Sequence, residues 1–285
     1  MTTNDTKKIL IVGGAGKTGA RVKRLLDAAG VETRAVSRST SPAFDWTQPD
    51  NWHRALLDID AAYLTYHPDL SVPEAAGHIA QFCKLAKSAG VKHVVLLSGR
   101  GEAGATNAER ALQDSGLAWN IVQASWFAQN FSENFMLEQI QNRQLIVPAG
   151  CAPEPFIDID DIAEVVVATL MEPGLHNRLF EVTGPACLTF AECCAAMSEG
   201  IGETVQAVEV PLADYLAGLR QAGVPDEFVA LLEELFGQLF DGRNAQTATG
   251  VRQALGREAT TFNTYVAKTA ASGVWHSGES HHDIA

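Results

Sequence analysis

The sequence predicts a doubly wound, parallel α/β sheet with a smaller, mostly helical C-terminal lobe, and three observations carry that expectation. An apolar run, Lys8 to Val12, leads into glycines at a fixed spacing, Gly13, Gly16 and Gly19. A helical pattern follows, with Val22, Leu25, Leu26 and Ala29 on one face. Through the first half of the chain, apolar runs that do not alternate with polar residues take turns with helical ones, the pattern of strands buried on both faces of a parallel sheet.

The first element is the most specific. Strand, glycine turn and helix in that order make a diphosphate site: the first glycine permits the tight turn, the second a close approach by the ligand, the third close packing of helix on strand. Lys17 and Thr18 open the helix, whose N-terminus offers free N–H groups and a partial positive charge. The spacing is G-x-x-G-x-x-G, without the G-K-[ST] ending of a P-loop. Glu32 to Val36 is the second strand. Asn51 to Leu57 reads as a short helix, Ala61 to Tyr66 as a strand, and Glu74 to Ala89 as a helix burying Ile79, Phe82, Cys83 and Ala86. His93 to Leu97 and Trp119 to Gln123 are strands separated by a helix over Asn107 to Asp114. Beyond them the signals are less regular. Leu145 to Val147 and Leu179 to Val182 are candidate strands, Asp160 and Asp161 can cap a helix carrying Ile162, Val165, Val166 and Leu170, and Thr189 to Glu192 is a capping box. Helices around Leu212 to Gln221 and Phe228 to Phe240 complete a lobe placed at 185–285, against a sheet domain at 1–184.

Composition narrows the function. The chain has 285 residues, 46% of them hydrophobic and 19% charged, and a formal net charge of -13. That charge disfavours a nucleic-acid surface, which needs a basic patch. No run approaches the ~20 apolar residues of a membrane span, and the N-terminus lacks a leader's apolar core, so a cytoplasmic protein is expected. The five cysteines, Cys83, Cys151, Cys187, Cys193 and Cys194, fit neither a zinc site nor a disulfide framework, and no metal site is expected. The tail from Ser277, with His281-His282, reads as frayed.

Ligand choice is read at the strand ends. After the second strand comes Ser37-Arg38-Ser39-Thr40, with no acid to hold a ribose 2′-hydroxyl and an arginine able to hold a 2′-phosphate, so NADP(H) is the expected cofactor. Tyr66 and His67 end one further strand, Ser98 and Arg100 another; these residues are expected along the path from ribose to nicotinamide, with Ser98 and Arg100 as polar orienters of an acceptor. Trp126, Phe127 and Phe131 follow the next strand as candidates for an apolar substrate wall.

Several of these residues resemble the NmrA-like branch of atypical short-chain dehydrogenases/reductases. They are Gly13 to Gly19, Leu97-Ser98, Glu109-Arg110-Ala111-Leu112 with Ser115-Gly116-Leu117, Trp126-Phe127 with Asn130, and Pro155-Phe156-Ile157-Asp158 followed by Asp160-Asp161-Ile162-Ala163. Phe44-Asp45-Trp46, Trp52 and Ser272-Gly273-Val274-Trp275 look most like the festuclavine/agroclavine dehydrogenase-type subgroup. Bacterial quinone reductases and triphenylmethane-dye reductases share the pattern. The resemblance implies a Rossmann-type fold and NADP(H), and leaves the substrate open. The chain departs from the wider superfamily in one respect: none of Tyr63, Tyr66, Tyr215 and Tyr265 has a lysine four residues on, so the Tyr-x-x-x-Lys acid is missing. A general acid contributes about 10²–10⁴-fold. Its absence is coherent with an acceptor that takes hydride readily, such as an iminium, a quinone, a dye or an activated carbonyl. It is equally coherent with a non-catalytic NADP(H)-sensing regulator that acts through a partner protein.

Overall fold

In chain order the elements are β1 (Lys8–Val12), α1 (Lys17–Ala28), β2 (Glu32–Val36), α2 (Trp52–Ala55), β3 (Ala61–Leu64), α3 (Ala75–Ala89), β4 (His93–Gly99), α4 (Ala103–Gln113) and β5 (Ala118–Ala124). There follow α5 (Leu137–Gln141), β6 (Gln144–Pro148), α6 (Ile159–Met171), β7 (Arg178–Val182), α7 (Phe190–Ile201), β8 (Gln206–Val210), α8 (Leu212–Gln221), α9 (Asp226–Gln238), α10 (Gly250–Leu255) and α11 (Phe262–Ala271). This is a computed structural model and it describes residues 7–276; the expected frayed tail, with His281-His282, lies outside them.

Six strands form one parallel sheet in the order β2-β1-β3-β4-β5-β7. From β1 the chain steps outward to β2 and then crosses back to β3 on the other side, which makes the β1–β3 boundary the point where a ligand crevice opens. Ile9, Leu10 and Ile11 of β1 and all four residues of β3 are buried, as strands covered on both faces must be.

The chain divides into two units. The first comprises the residues up to Ala124, Ile159–Val182 and Thr249–Glu258; the second comprises Ser125–Asp158, Thr183–Ala248 and the residues from Ala259 onward. The division therefore interleaves, where the sequence suggested a single boundary after residue 184. The reason is that α6 and β7 return to the large sheet after an excursion. Asp160 and Asp161 sit in the first turn of α6 rather than capping it. Asp160 accepts from Arg21 of α1 at 2.9 Å, and the buried Asp161 pairs with Arg257 at 2.7 Å, which ties α6 to its neighbours within the first unit.

The second unit has its own apolar core, built on β6 paired with β8 and on α7, α8, α9 and α11. β8 gave no sequence signal because its residues are only partly buried and its partner lies far along the chain. The capping box on α7 is present in full: Thr189 Oγ1 accepts from Glu192 N–H and the Glu192 carboxylate accepts from Thr189 N–H.

One buried polar group sets an acid limit on the first unit. His93, 1% exposed at the start of β4, lies stacked on His176 with ring centroids 3.9 Å apart. Asn120 donates its amide to the carbonyls of Leu175 and Arg178, so its oxygen accepts from His93 Nε2 at 2.9 Å. His93 Nδ1 is then the unprotonated nitrogen, and it has no partner among the described residues. Burial first, and the facing His176 second, hold the His93 pKa down at about 4. An unfolded histidine titrates near ~6.5. Between that value and about 4 the unfolded chain binds a proton that the native site refuses, so stability falls as pH falls through this window and levels off below it. The full effect is about 3 kcal/mol. His93→Gln, which keeps a donor for Asn120, is expected to flatten the melting temperature against pH in this window. An unchanged slope would assign the acid sensitivity elsewhere.

Candidate functional site

The glycine turn sits at the carboxyl end of β1, and the N–H groups of Gly13 and Gly14 both bond to the carbonyl of Val36, the last residue of β2, at 3.0 and 3.2 Å. The turn and the end of β2 are thus joined directly. Gly13 has φ +77°, a left-handed conformation that side chains disfavour, and a Cβ there would fall 2.1 Å from Thr65 Oγ1. A Cβ on Gly19 would fall 2.2 Å from the Gly13 carbonyl, so this glycine is required for α1 to pack against the turn. Gly16 is different. Its φ of -77° and ψ of 170° suit any residue, and a Cβ would meet only the Gly13 oxygen, at 3.2 Å. The protein itself therefore leaves the face of Gly16 open. Gly16 also begins α1 with no side-chain cap and no acid in the first turn, a setting that favours a bound anion. These features fit the diphosphate of a dinucleotide. Gly14, which the motif does not count, is also needed: a Cβ would lie 2.5 Å from that of Ala35 in β2.

Lys17 and Thr18 open α1 as expected, but Thr18 is buried and its hydroxyl accepts from Tyr63 OH at 3.0 Å. The Thr18 side chain is thus engaged inside the fold.

The segment after β2 is a self-bonded turn. Thr40 Oγ1 accepts from Ser37 N–H at 2.8 Å and donates back to the Ser37 carbonyl at 3.0 Å, while the Ser37 and Ser39 hydroxyls pair at 3.1 Å. Arg38 stands exposed at its tip. Asp45 lies close enough to respond to the Arg38 charge; its carboxyl is held below the usual range chiefly by the backbone and hydroxyl of Thr47, and to a smaller degree by Arg38 and His67. The loop carrying Asp45 is clamped by aromatic rings. Phe44 stacks on Trp52, Trp46 meets both edge-on, and the two indoles donate to the carbonyls of Thr65 and Asp45. This is the physical role of the Phe44-Asp45-Trp46 and Trp52 signature.

β3 ends at Leu64, two residues earlier than expected, because Thr65 turns its hydroxyl back onto the Val12 carbonyl. Tyr66 is half-buried beyond it, with its hydroxyl 2.7 Å from His78 Nδ1 and its ring against Trp46. His67 is exposed. Thr65 carried no motif; only its contacts with Val12 and Trp46 bring it to this end of the sheet.

Ser98 and Arg100 stand at the end of β4, each with an internal partner. Ser98 is buried and donates to Glu109 Oε1 at 2.5 Å, and Gln123 donates to the same oxygen at 2.7 Å. Arg100 is 4% exposed and its Nε pairs with Glu181 at 2.6 Å. Both head groups are held in internal pairs that join β4 to α4, β5 and β7.

The aromatic candidates belong to the second unit. Phe131 is fully buried among Phe156, Phe190 and Phe262 and is a core residue, not a wall. Trp126 and Phe127 are half-buried; Trp126 packs on Phe236 and Phe240, and Phe127 forms a backbone bridge to Ile157.

The model of the NmrA-like family matches residues 45–268. An NAD(P)H azoreductase of Xenophilus azovorans is 30% identical over 93% of this chain and 98% of its own. Festuclavine synthase II of Penicillium roqueforti is 31% identical over 80% and 86% respectively. Among solved structures, triphenylmethane reductase of Citrobacter sp., complexed with NADP(H), superimposes with a TM-score of 0.78, covering 92% of this chain and 99% of that one; at 19% identity this likeness speaks to the fold. No helix among the described residues is long and apolar enough to cross a membrane.

Proposed function

The chain belongs to the NmrA-like family, and on that premise we propose that it is an NADP(H)-dependent reductase of a small conjugated or cationic acceptor: an imine or iminium, a quinone, a dye or an activated carbonyl. The observation that carries the reading is the glycine turn with an open face at Gly16, bonded to the strand end that presents Arg38. Relatives named as azoreductase and festuclavine synthase support it. When bound, the cofactor supplies a hydride. The chain's part is to hold it. The turn and the α1 N-terminus receive the diphosphate, and Arg38, with the hydroxyls of Ser37 and Ser39 beside it, receives the 2′-phosphate. Acceptors of this class need little acid assistance, because an iminium arrives charged and a quinone leaves as a stabilised oxyanion; orientation then supplies much of the rate.

The direct test is the purified protein with NADPH and a panel of a quinone, an iminium, an azo dye and a triphenylmethane dye, followed by loss of NADPH absorbance. Oxidation with at least one acceptor is expected. Tight NADP(H) binding without turnover of any of them would replace the reductase by a cofactor sensor. Cofactor choice has its own test. Arg38→Ala is expected to weaken NADPH by the ~1.5–3 kcal/mol of a charge-assisted contact while leaving NADH nearly unchanged. Equal losses in titrations with the two cofactors would remove Arg38 from the 2′-phosphate site.

A further inference from the structure

The turn that carries Arg38 is closed by a later stretch of chain. The Ser37 carbonyl accepts from Phe44 N–H at 2.9 Å, which brings Asp45 back beside the turn. The loop is fixed there by its aromatic rings and by Trp52 Nε1, which donates to the Asp45 carbonyl at 2.7 Å. The Asp45 side chain is fixed as well: one carboxylate oxygen accepts from Thr47 N–H at 2.9 Å and from Thr47 Oγ1 at 2.8 Å. Arg38 is exposed, and its guanidinium makes no hydrogen bond or ion pair with the described residues. The two charges are near one another without touching. After the two bonds from Thr47, Arg38 does most to lower the Asp45 carboxyl, ahead of His67. All of these residues belong to the first unit.

A site that prefers NAD sets an acid against the ribose 2′-hydroxyl, and one that prefers NADP sets an arginine on the 2′-phosphate. The residues directly after β2 include the arginine and no acid, yet the fold returns an acid to the same place from the next loop. We propose that Asp45 is a specificity-determining residue of the cofactor site: held by Thr47 beside Arg38, its carboxylate opposes the 2′-phosphate that Arg38 attracts and so narrows the margin by which NADPH is preferred over NADH. The proposal rests on the reading of Arg38 as the 2′-phosphate contact and adds a repulsive partner to it. Discrimination is a difference of two affinities, set by repulsion as well as by attraction. A phosphate monoester carries close to two negative charges at neutral pH, so a carboxylate a few ångströms away acts on NADPH and hardly on NADH. In a water-exposed turn this opposition is modest, and salt screens it. Thr47 is the positioning residue. By holding the carboxylate it keeps Asp45 from closing onto Arg38 and leaves the guanidinium available.

The test is calorimetric titration of NADPH and of NADH into the full chain, Asp45→Asn and Arg38→Ala, at about 20 mM and about 500 mM salt. Asparagine keeps a side-chain oxygen that accepts from Thr47, so the loop is retained, and a thermal melt checks this. Asp45→Asn is expected to tighten NADPH about 3- to 5-fold at low salt, to leave NADH within about 1.5-fold, and to lose most of the gain at high salt. Should Asp45→Asn fold poorly, Asp45→Ser decides in its place, since a serine hydroxyl makes the same kind of turn bond. Unchanged NADPH affinity in a folded variant would overturn the proposal. A parallel change for both cofactors would assign Asp45 to the shared part of the dinucleotide or to the loop, and would overturn it too. So would a gain that salt does not reduce. Arg38→Ala keeps this failure apart from that of the underlying reading. If it weakens NADPH selectively while Asp45→Asn shifts nothing, Arg38 keeps the 2′-phosphate and only the opposition by Asp45 falls. If it weakens both cofactors equally, the 2′-phosphate is not read at this turn and both proposals fall.

Discussion

Gly16→Val is expected to lower NADP(H) affinity by roughly 100-fold or more, about 3 kcal/mol, with little change in melting temperature. The structure separates this position from the other glycines of the turn. Gly13 needs a left-handed backbone, and at Gly19 a Cβ would lie 2.2 Å from the Gly13 carbonyl, so a side chain at either would damage the fold itself. Gly16 has an extended backbone that valine adopts readily, and its Cβ would meet one oxygen at 3.2 Å, a contact relieved by a shift of a few tenths of an ångström. The valine methyl groups would then occupy the open face proposed for the diphosphate. Calorimetric titration with NADPH, beside a thermal melt, measures both quantities. A folded Gly16→Val that binds NADPH like the wild type would remove the foundation of the proposed function.

Trp275→Ala carries the largest expected loss of stability. The indole is fully buried at the end of the described chain, edge-on to Tyr265, with Nε1 donating to the Phe131 carbonyl at 2.8 Å. Its own carbonyl accepts from Arg143 at 2.8 Å, and the Val274 carbonyl accepts from Gln141 at 2.9 Å. These contacts lock the chain end onto the core of the second unit. Removing a buried tryptophan costs about 3–5 kcal/mol, and the Phe131 carbonyl would lose its donor as well. A fall in melting temperature of roughly 10 °C is expected, since 1 kcal/mol shifts a chain of this size by about 2–4 °C. Trp275→Phe should recover part of the packing and none of the hydrogen bond. A shift below 2 °C or so for Trp275→Ala would mean that this end contributes little to the unit.

The sheet and the cofactor end were legible because they are written in short-range patterns. The Gly13–Gly19 spacing, the apolar runs of β1, β3 and β4, and the Thr189/Glu192 box each depend on residues within about one turn or strand of one another, where backbone sterics and periodicity act alone. What the sequence could not show is which partners the side chains at these positions find. Ser98 and Arg100 stand at a strand end where ligands are expected, yet Ser98 bonds to Glu109 and Arg100 to Glu181, 81 residues away. Phe131 reads as one aromatic among several until Phe156, Phe190 and Phe262 close around it.

By itself, the sequence determined the parallel sheet, the glycine turn between β1 and α1 and the absence of a Tyr-x-x-x-Lys motif. Only the tertiary structure decided that the two units interleave along the chain, which glycine leaves a free face, and which buried side chains pair across the fold. The reason is that spacing along a chain dictates backbone conformation locally, whereas a hydrogen bond or a buried ring is settled by whatever remote segment packs against it, and no local pattern records that partner.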